Sequence, residues 1–142
     1  MPEPVGKPTT LLAVIEFLDH GRLPVLYQRL GFETTVEWSV RKAVPLLRKL
    51  RPDVLVADFY FQADFRDRLS NVESLLAAAE PLAGTKILLF YDPRDEHALN
   101  RVRERLRIDA ALPVPVREAD LEALLRGWME SAADVTQETE RP

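Results

Sequence analysis

The sequence predicts an α/β fold: a five-stranded parallel sheet with helices on both faces. Three observations predict it. Short apolar runs alternate with amphipathic stretches five times along the chain. Parallel neighbours need a crossover, and a helix normally supplies it. Three of the runs are apolar throughout, as strands buried on both faces must be. The other two alternate or carry prolines, which suits the edges of a sheet.

Residues 1–9 hold three prolines and few apolar groups, and are expected to be a flexible lead before a domain spanning 10–131. "LLAVI" (11–15) reads as a buried strand. In "GRLPVLYQRLGF", Leu23, Leu26, Tyr27 and Leu30 share one helical face, and Gly31 is placed to end the helix. "TTVEWSV" (34–40) sets Val36, Trp38 and Val40 against Thr35, Glu37 and Ser39, a half-exposed strand with Trp38 facing inward. "KAVPLLRKL" (42–50) reads as a helix that tolerates Pro45 in its first turn. "DVLVA" (53–57) is a second buried strand. "RDRLSNVESLLAAAEPL" (66–82) stripes Leu69, Val72, Leu76 and Ala79, and Pro81 stops it.

"KILLFY" (86–91) is the third buried strand. "DEHALNRVRERLR" (95–107) turns Leu99, Val102 and Leu106 inward. "AALPVPV" (110–116) is a short strand with two prolines. "EADLEALLRGWMESA" (118–132) is the clearest helix, with Leu121, Leu124, Leu125, Trp128 and Met129 on one stripe. From residue 132 the chain is polar and mostly acidic, and a disordered tail is expected.

Strand character also predicts the order. With strands two and five as edges around one, three and four, the arrangement is the flavodoxin-like order 2-1-3-4-5. The chain then reverses between strands one and three, and chemistry in such sheets sits at that crevice. Asp58 follows strand three and Glu16 follows strand one, so two carboxylates are expected there. Asp58 has a second explanation, as a strand-end cap for the loop that follows it. Asp19 and Asp92 read as surface turn residues, and His20 as a turn or cap residue before the first helix.

Composition narrows the function. The net charge of −4 gives no bulk attraction for nucleic acid or an anionic membrane. The chain has no cysteine, which excludes disulfides, thiol catalysis and cysteine-ligated metals. Its two histidines, His20 and His97, form no metal-spacing motif. No apolar run is long enough to span a membrane, and a soluble cytoplasmic protein is expected. No glycine-rich phosphate loop follows any strand, and no nucleophile–base pair is visible. A small flavodoxin-like enzyme or ligand-binding domain is therefore the lesser expectation, and the chain is not expected to be an enzyme.

Over about residues 10 to 130, "LLAVIEFLD", "RPDVLVADFYF", "KILLFYDPRDE" and "AALPVPVREADLEALL" resemble the receiver domains of two-component response regulators. The resemblance puts Asp58 where receivers carry the phosphoaccepting aspartate. It puts Ile15-Glu16 where two acids hold Mg²⁺, so a metal site of Glu16 and Asp58 would be weak. Tyr91 stands in place of a Thr or Ser, and Val114 before Pro115 in place of a Lys. Phosphoryl transfer to a carboxylate needs its developing charge neutralised, and Val114 supplies no cation.

The resemblance thus implies an atypical, degenerate receiver, standing alone, with weak or absent phosphorylation, that signals by protein–protein interaction. A working phosphoacceptor at Asp58 with Mg²⁺ is the alternative. Partners would be a histidine kinase, a phosphotransfer protein or an effector. Receivers use the fourth helix, fifth strand and fifth helix for dimers and outputs, and here that face would carry Arg101, Arg105 and Trp128. Arg101, Arg103, Arg105 and Arg107 otherwise read as a solvated basic run on the fourth helix, and Trp128 as a core residue.

Overall fold

The structure, a computed structural model, describes residues 9–61 and 71–140. Strands β1 (Thr10–Val14), β2 (Glu33–Glu37), β3 (Val54–Phe59), β4 (Lys86–Tyr91) and β5 (Ala110–Pro113) form one parallel sheet in the order β2-β1-β3-β4-β5. Helices α1 (Leu23–Arg29), α2 (Val40–Leu50), α3 (Glu73–Ala79), α4 (Glu96–Arg103) and α5 (Glu118–Glu140) cover it. This is the expected architecture.

Strand character is what sets the order. β3 is buried along its whole length, and β1 and β4 nearly so, whereas no residue of β2 or β5 is fully buried. Side chains alternate across the sheet and build two cores. Leu12, Val14, Leu55, Ala57, Ile87 and Leu89 meet Ala43 and Leu47 of α2, Leu75 and Leu76 of α3, and Leu99 and Val102 of α4. Leu11, Ala13, Val54, Val56, Leu88 and Phe90 meet Leu26 and Tyr27 of α1, and Leu121 and Leu125 of α5. Each fully buried leucine is worth about 2–3 kcal/mol of apolar transfer.

Several boundaries differ from expectation. β2 stops at Glu37, so Trp38 leaves the strand and is 66% exposed rather than inward. α2 begins at Val40, two residues early, because Ser39 caps it and accepts from Lys42 N–H. Pro45 therefore lies inside the helix, beyond its first turn. Pro45 and Arg41 are both exposed, so the carbonyl that Pro45 leaves without its helical donor is on the wet side. α3 starts at Glu73, and residues 66–70, with Leu69, lie outside the described residues, as do 1–8. Val72, Leu76 and Ala79 are buried as expected, and Gly31 takes a positive φ of 102° just after α1. α5 continues to Glu140, past the boundary expected at 131, since no proline or glycine interrupts 132–140.

α4 ends at Arg103, which divides the basic run. Arg101 and Arg103 are exposed on the helix, and Arg105 is exposed beyond it. Arg107 does something else. Its guanidinium donates to the carbonyls of Thr85 (2.9 Å), Leu82 (3.1 Å) and Ala79 (3.3 Å), and to Asp109 Oδ2 (2.7 Å). Asp109 in turn accepts from Ile87 N–H at 2.7 Å. One planar fork thus ties the end of α3 to the starts of β4 and β5, a task that the fixed geometry of guanidinium suits.

Arg107→Ala is expected to cost about 2 kcal/mol in urea denaturation, because charge-assisted bonds to three carbonyls are lost. Arg101→Ala and Arg105→Ala are expected to stay within about 0.5 kcal/mol of the parent.

Candidate functional site

Asp58 lies inside β3, not after it, and pairs in register with Phe90. Its residue is 1% exposed. An ionised carboxylate so buried must find donors, and the neighbouring strand supplies them. β1 ends at Val14, and the chain then turns over the sheet end. Glu16 N–H donates to Asp58 Oδ1 at 2.8 Å, and Phe17 and Leu18 N–H donate to Oδ2 at 2.7 and 2.8 Å. His20 Nε2 lies 3.3 Å from Oδ1. A carboxylate without a proton only accepts, so Nε2 carries the hydrogen, a tautomer assigned from the bonding. The His20 ring is buried edge-on against Phe90, and its Nδ1 has no partner among the described residues.

Asp58 is therefore a cap, as one expectation held, but for the loop after β1 rather than the loop after its own strand. Burial pushes its carboxyl up. The bonds from His20 and from the N–H groups of Glu16, Leu18 and Phe17 pull it down, and together they hold it below the usual carboxylate range.

Glu16 reaches the same end of the sheet but engages other donors. Its Oε2 accepts from Val40 N–H at 3.0 Å, at the start of α2, and its Oε1 accepts from Asn71 Nδ2 at 3.1 Å. α2 has no acid in its own first turn, so Glu16 supplies the negative charge that a helix N-terminus favours. Asn71 completes the frame. Its Nδ2 also donates to the Asp58 carbonyl (3.0 Å), and its Oδ1 accepts from Tyr60 N–H (2.6 Å). Outside it, the rings of Phe17 and Tyr60 stack at 4.3 Å between centroids.

The remaining expected positions are spread around this frame. Ile15 is half-buried just past β1, and its N–H donates to the Glu37 carbonyl. Tyr91 is the last residue of β4, half-buried on the α2–α4 side. Val114 follows β5, is half-buried against the opposite core, and joins Pro115 through a cis bond. Trp128 is half-buried on α5 against that same core. Asp19 and Asp92 serve turns, accepting from Gly21 and Arg94 N–H. Among the described residues no group of three or more His, Asp or Glu is arranged to hold a metal ion.

Sequence reasoning missed His20 as a partner of Asp58, and missed Asn71 altogether. A signal for the first was present: a strand aspartate that is buried needs donors, and the loop after the adjacent strand holds the only nearby histidine.

No protein-family model matches the chain, and no curated protein is similar to it. Solved structures do resemble it. The signal receiver domain of an HD domain-containing protein from Pseudomonas fluorescens Pf-5 superposes with a TM-score of 0.73 at 16% identity, over 96% of this chain and 97% of that one. The signal receiver domain of a modulated diguanylate cyclase from Desulfovibrio desulfuricans G20 gives 0.65 at 20% identity, over 88% and 96%. A CheY-like response regulator receiver domain from Methylobacillus flagellatus gives 0.62 at 19% identity, over 86% and 99%. The chain has the receiver fold.

Asp58→Asn is expected to destabilise the fold by about 2–4 kcal/mol at neutral pH, since it leaves buried donors short of an acceptor. The folded Asp58 carboxyl sits below its unfolded value of about 3.9, so its contribution is complete above that pH and is lost as pH falls through the folded value. The acid limb of a stability–pH profile should therefore be shallower in Asp58→Asn than in the parent.

Proposed function

We propose that the chain is an atypical receiver-like signalling module in which Asp58 is a structural anion rather than a phosphoacceptor. The observation that carries this is the saturation of its carboxylate, which accepts from three backbone N–H groups and His20 while 1% exposed. To take a phosphoryl group, a carboxylate oxygen must approach the donor in line, and the charge on the transferred group must be met by cations. Both Asp58 oxygens already face N–H donors. The position beyond β5 that would offer a cation holds Val114.

The donor set fits Mg²⁺ poorly. That ion asks for nearly octahedral oxygen ligands and shares one or two carboxylates with water and phosphate. Glu16 has both oxygens engaged by Val40 and Asn71, Asp58 has both engaged by the loop, and Ile15 replaces an acid.

The module then acts by presenting its surface to a protein: a histidine kinase, a phosphotransfer protein or an effector. Arg101 and Arg105 are exposed and Trp128 half-buried on the α4–β5–α5 side, the face through which a second copy of the chain would also pair. Among the described residues no helix is long and apolar enough to cross a membrane, in keeping with a cytoplasmic role. A non-catalytic function agrees with this use of the site.

The test is intact-protein mass after incubation with acetyl phosphate and Mg²⁺, with Asp58→Asn alongside. An unchanged mass is expected for both. A gain of one phosphoryl group in the parent, absent from Asp58→Asn, would overturn the proposal and make the chain a working phosphoacceptor.

A further inference from the structure

At the sheet end where β1, β2 and β3 stop, the chain displays rings and cations that the Asp58 frame does not use. Phe17 is 52% exposed and stacked on Tyr60, and Trp38 is 66% exposed. The segments that carry them are bonded together. Ile15 N–H donates to the Glu37 carbonyl at 2.9 Å, and Val40 N–H donates to Glu16 at 3.0 Å, which sets Trp38 beside the Phe17 loop. Arg22, Arg41 and Lys42 are exposed on the same segments, and among the described residues no acid pairs with them.

The nearby acids among the described residues are turned to backbone donors instead. Asp19 accepts from Gly21 N–H, Glu37 from Trp38 N–H, Glu16 from Val40 N–H, and Asp58 from the loop. Moreover, Arg41 and Lys42 sit in the first turn of α2, where the helix dipole disfavours cations. A placement that local stability opposes, beside exposed aromatic rings, marks a surface kept for binding.

We propose that this face docks an acidic protein segment bearing an apolar or aromatic anchor. Its carboxylates would meet Arg22, Arg41 and Lys42, and its anchor would meet Trp38 and the Phe17–Tyr60 stack. Charge complementarity selects the partner, and the rings supply the affinity. The platform is preorganised, because Phe17 N–H is held by Asp58 and Tyr60 N–H by Asn71, so little ordering is left for the moment of binding. This face is distinct from the α4–β5–α5 surface.

The test pans a random dodecapeptide phage library against the full chain and measures the enriched peptides by fluorescence anisotropy. Enriched peptides should combine Asp or Glu with Trp, Phe or Leu. Trp38→Ala should weaken them about tenfold or more, and so should Arg41→Glu/Lys42→Glu. The charge-reversed variant should melt no lower than the parent, since acids suit the first turn of α2, so its loss of binding cannot come from unfolding. No enrichment, enrichment without acids, or affinities that both variants leave unchanged would overturn the proposal. Tighter binding of an oligouridylate than of the enriched peptides would overturn it too and assign the face to single-stranded nucleic acid.

Discussion

The buried charge of Asp58 is the constraint around which one end of the molecule is arranged. A carboxylate inside a central strand is costly unless fully bonded, and four donors must converge on it. Three come from consecutive backbone positions, so the loop after β1 has one conformation consistent with them. That loop carries Glu16, which then caps α2, and Glu16 meets Asn71, which fixes the exit of β3. The loop after β1, the start of α2 and the exit of β3 are thus tied to one acid. The asymmetry of buried hydrogen bonds makes the arrangement strict. Each bond adds modestly, but removing the acceptor strands several donors at once.

The fold was legible because its determinants are patterns. Continuous apolar runs in 11–14, 54–57 and 87–90 required burial on both faces, and the polar side chains of β2 and the prolines near β5 could be met only at edges. Gly31 ended α1 because its positive φ suits glycine. What failed was local chemistry decided by a tertiary partner. Trp38 extended the alternation of β2 on paper, but the strand had already ended and Ser39 had begun to cap α2. Pro45 argued against a helix start before Lys42, yet it could sit inside α2 because the Arg41 carbonyl it leaves without a donor is on the exposed side.

The site was half legible for the same reason. Asp58 announced itself as a polar residue in an apolar run, and both a cap and a site acid were consistent with that. Which loop it caps depends on strand adjacency, a property of the sheet and not of the neighbouring residues. His20 and Asn71 lie 38 and 13 residues from Asp58, and nothing in a single sequence links them. Arg107 is similar. Four arginines at alternate positions read as one solvated run, and only the carbonyls around Arg107 set it apart. The architecture is thus read from patterns, while the roles of Glu16, Asp58 and Asn71 are set by the bonds they make to one another's segments.

The Asp58 bonds also join segments 40 to 42 residues apart in the chain. Closing such a span is an entropic cost met only after β1 and β3 have paired. The cap should consequently be assembled late on the folding path, on the native side of the barrier. A protein locked this way gains its lifetime from slow opening rather than fast folding. In a chevron plot the loss of the carboxylate would steepen nothing on the refolding arm and lift the unfolding arm. The acid would then act as a kinetic latch, setting how long the native sheet persists once formed.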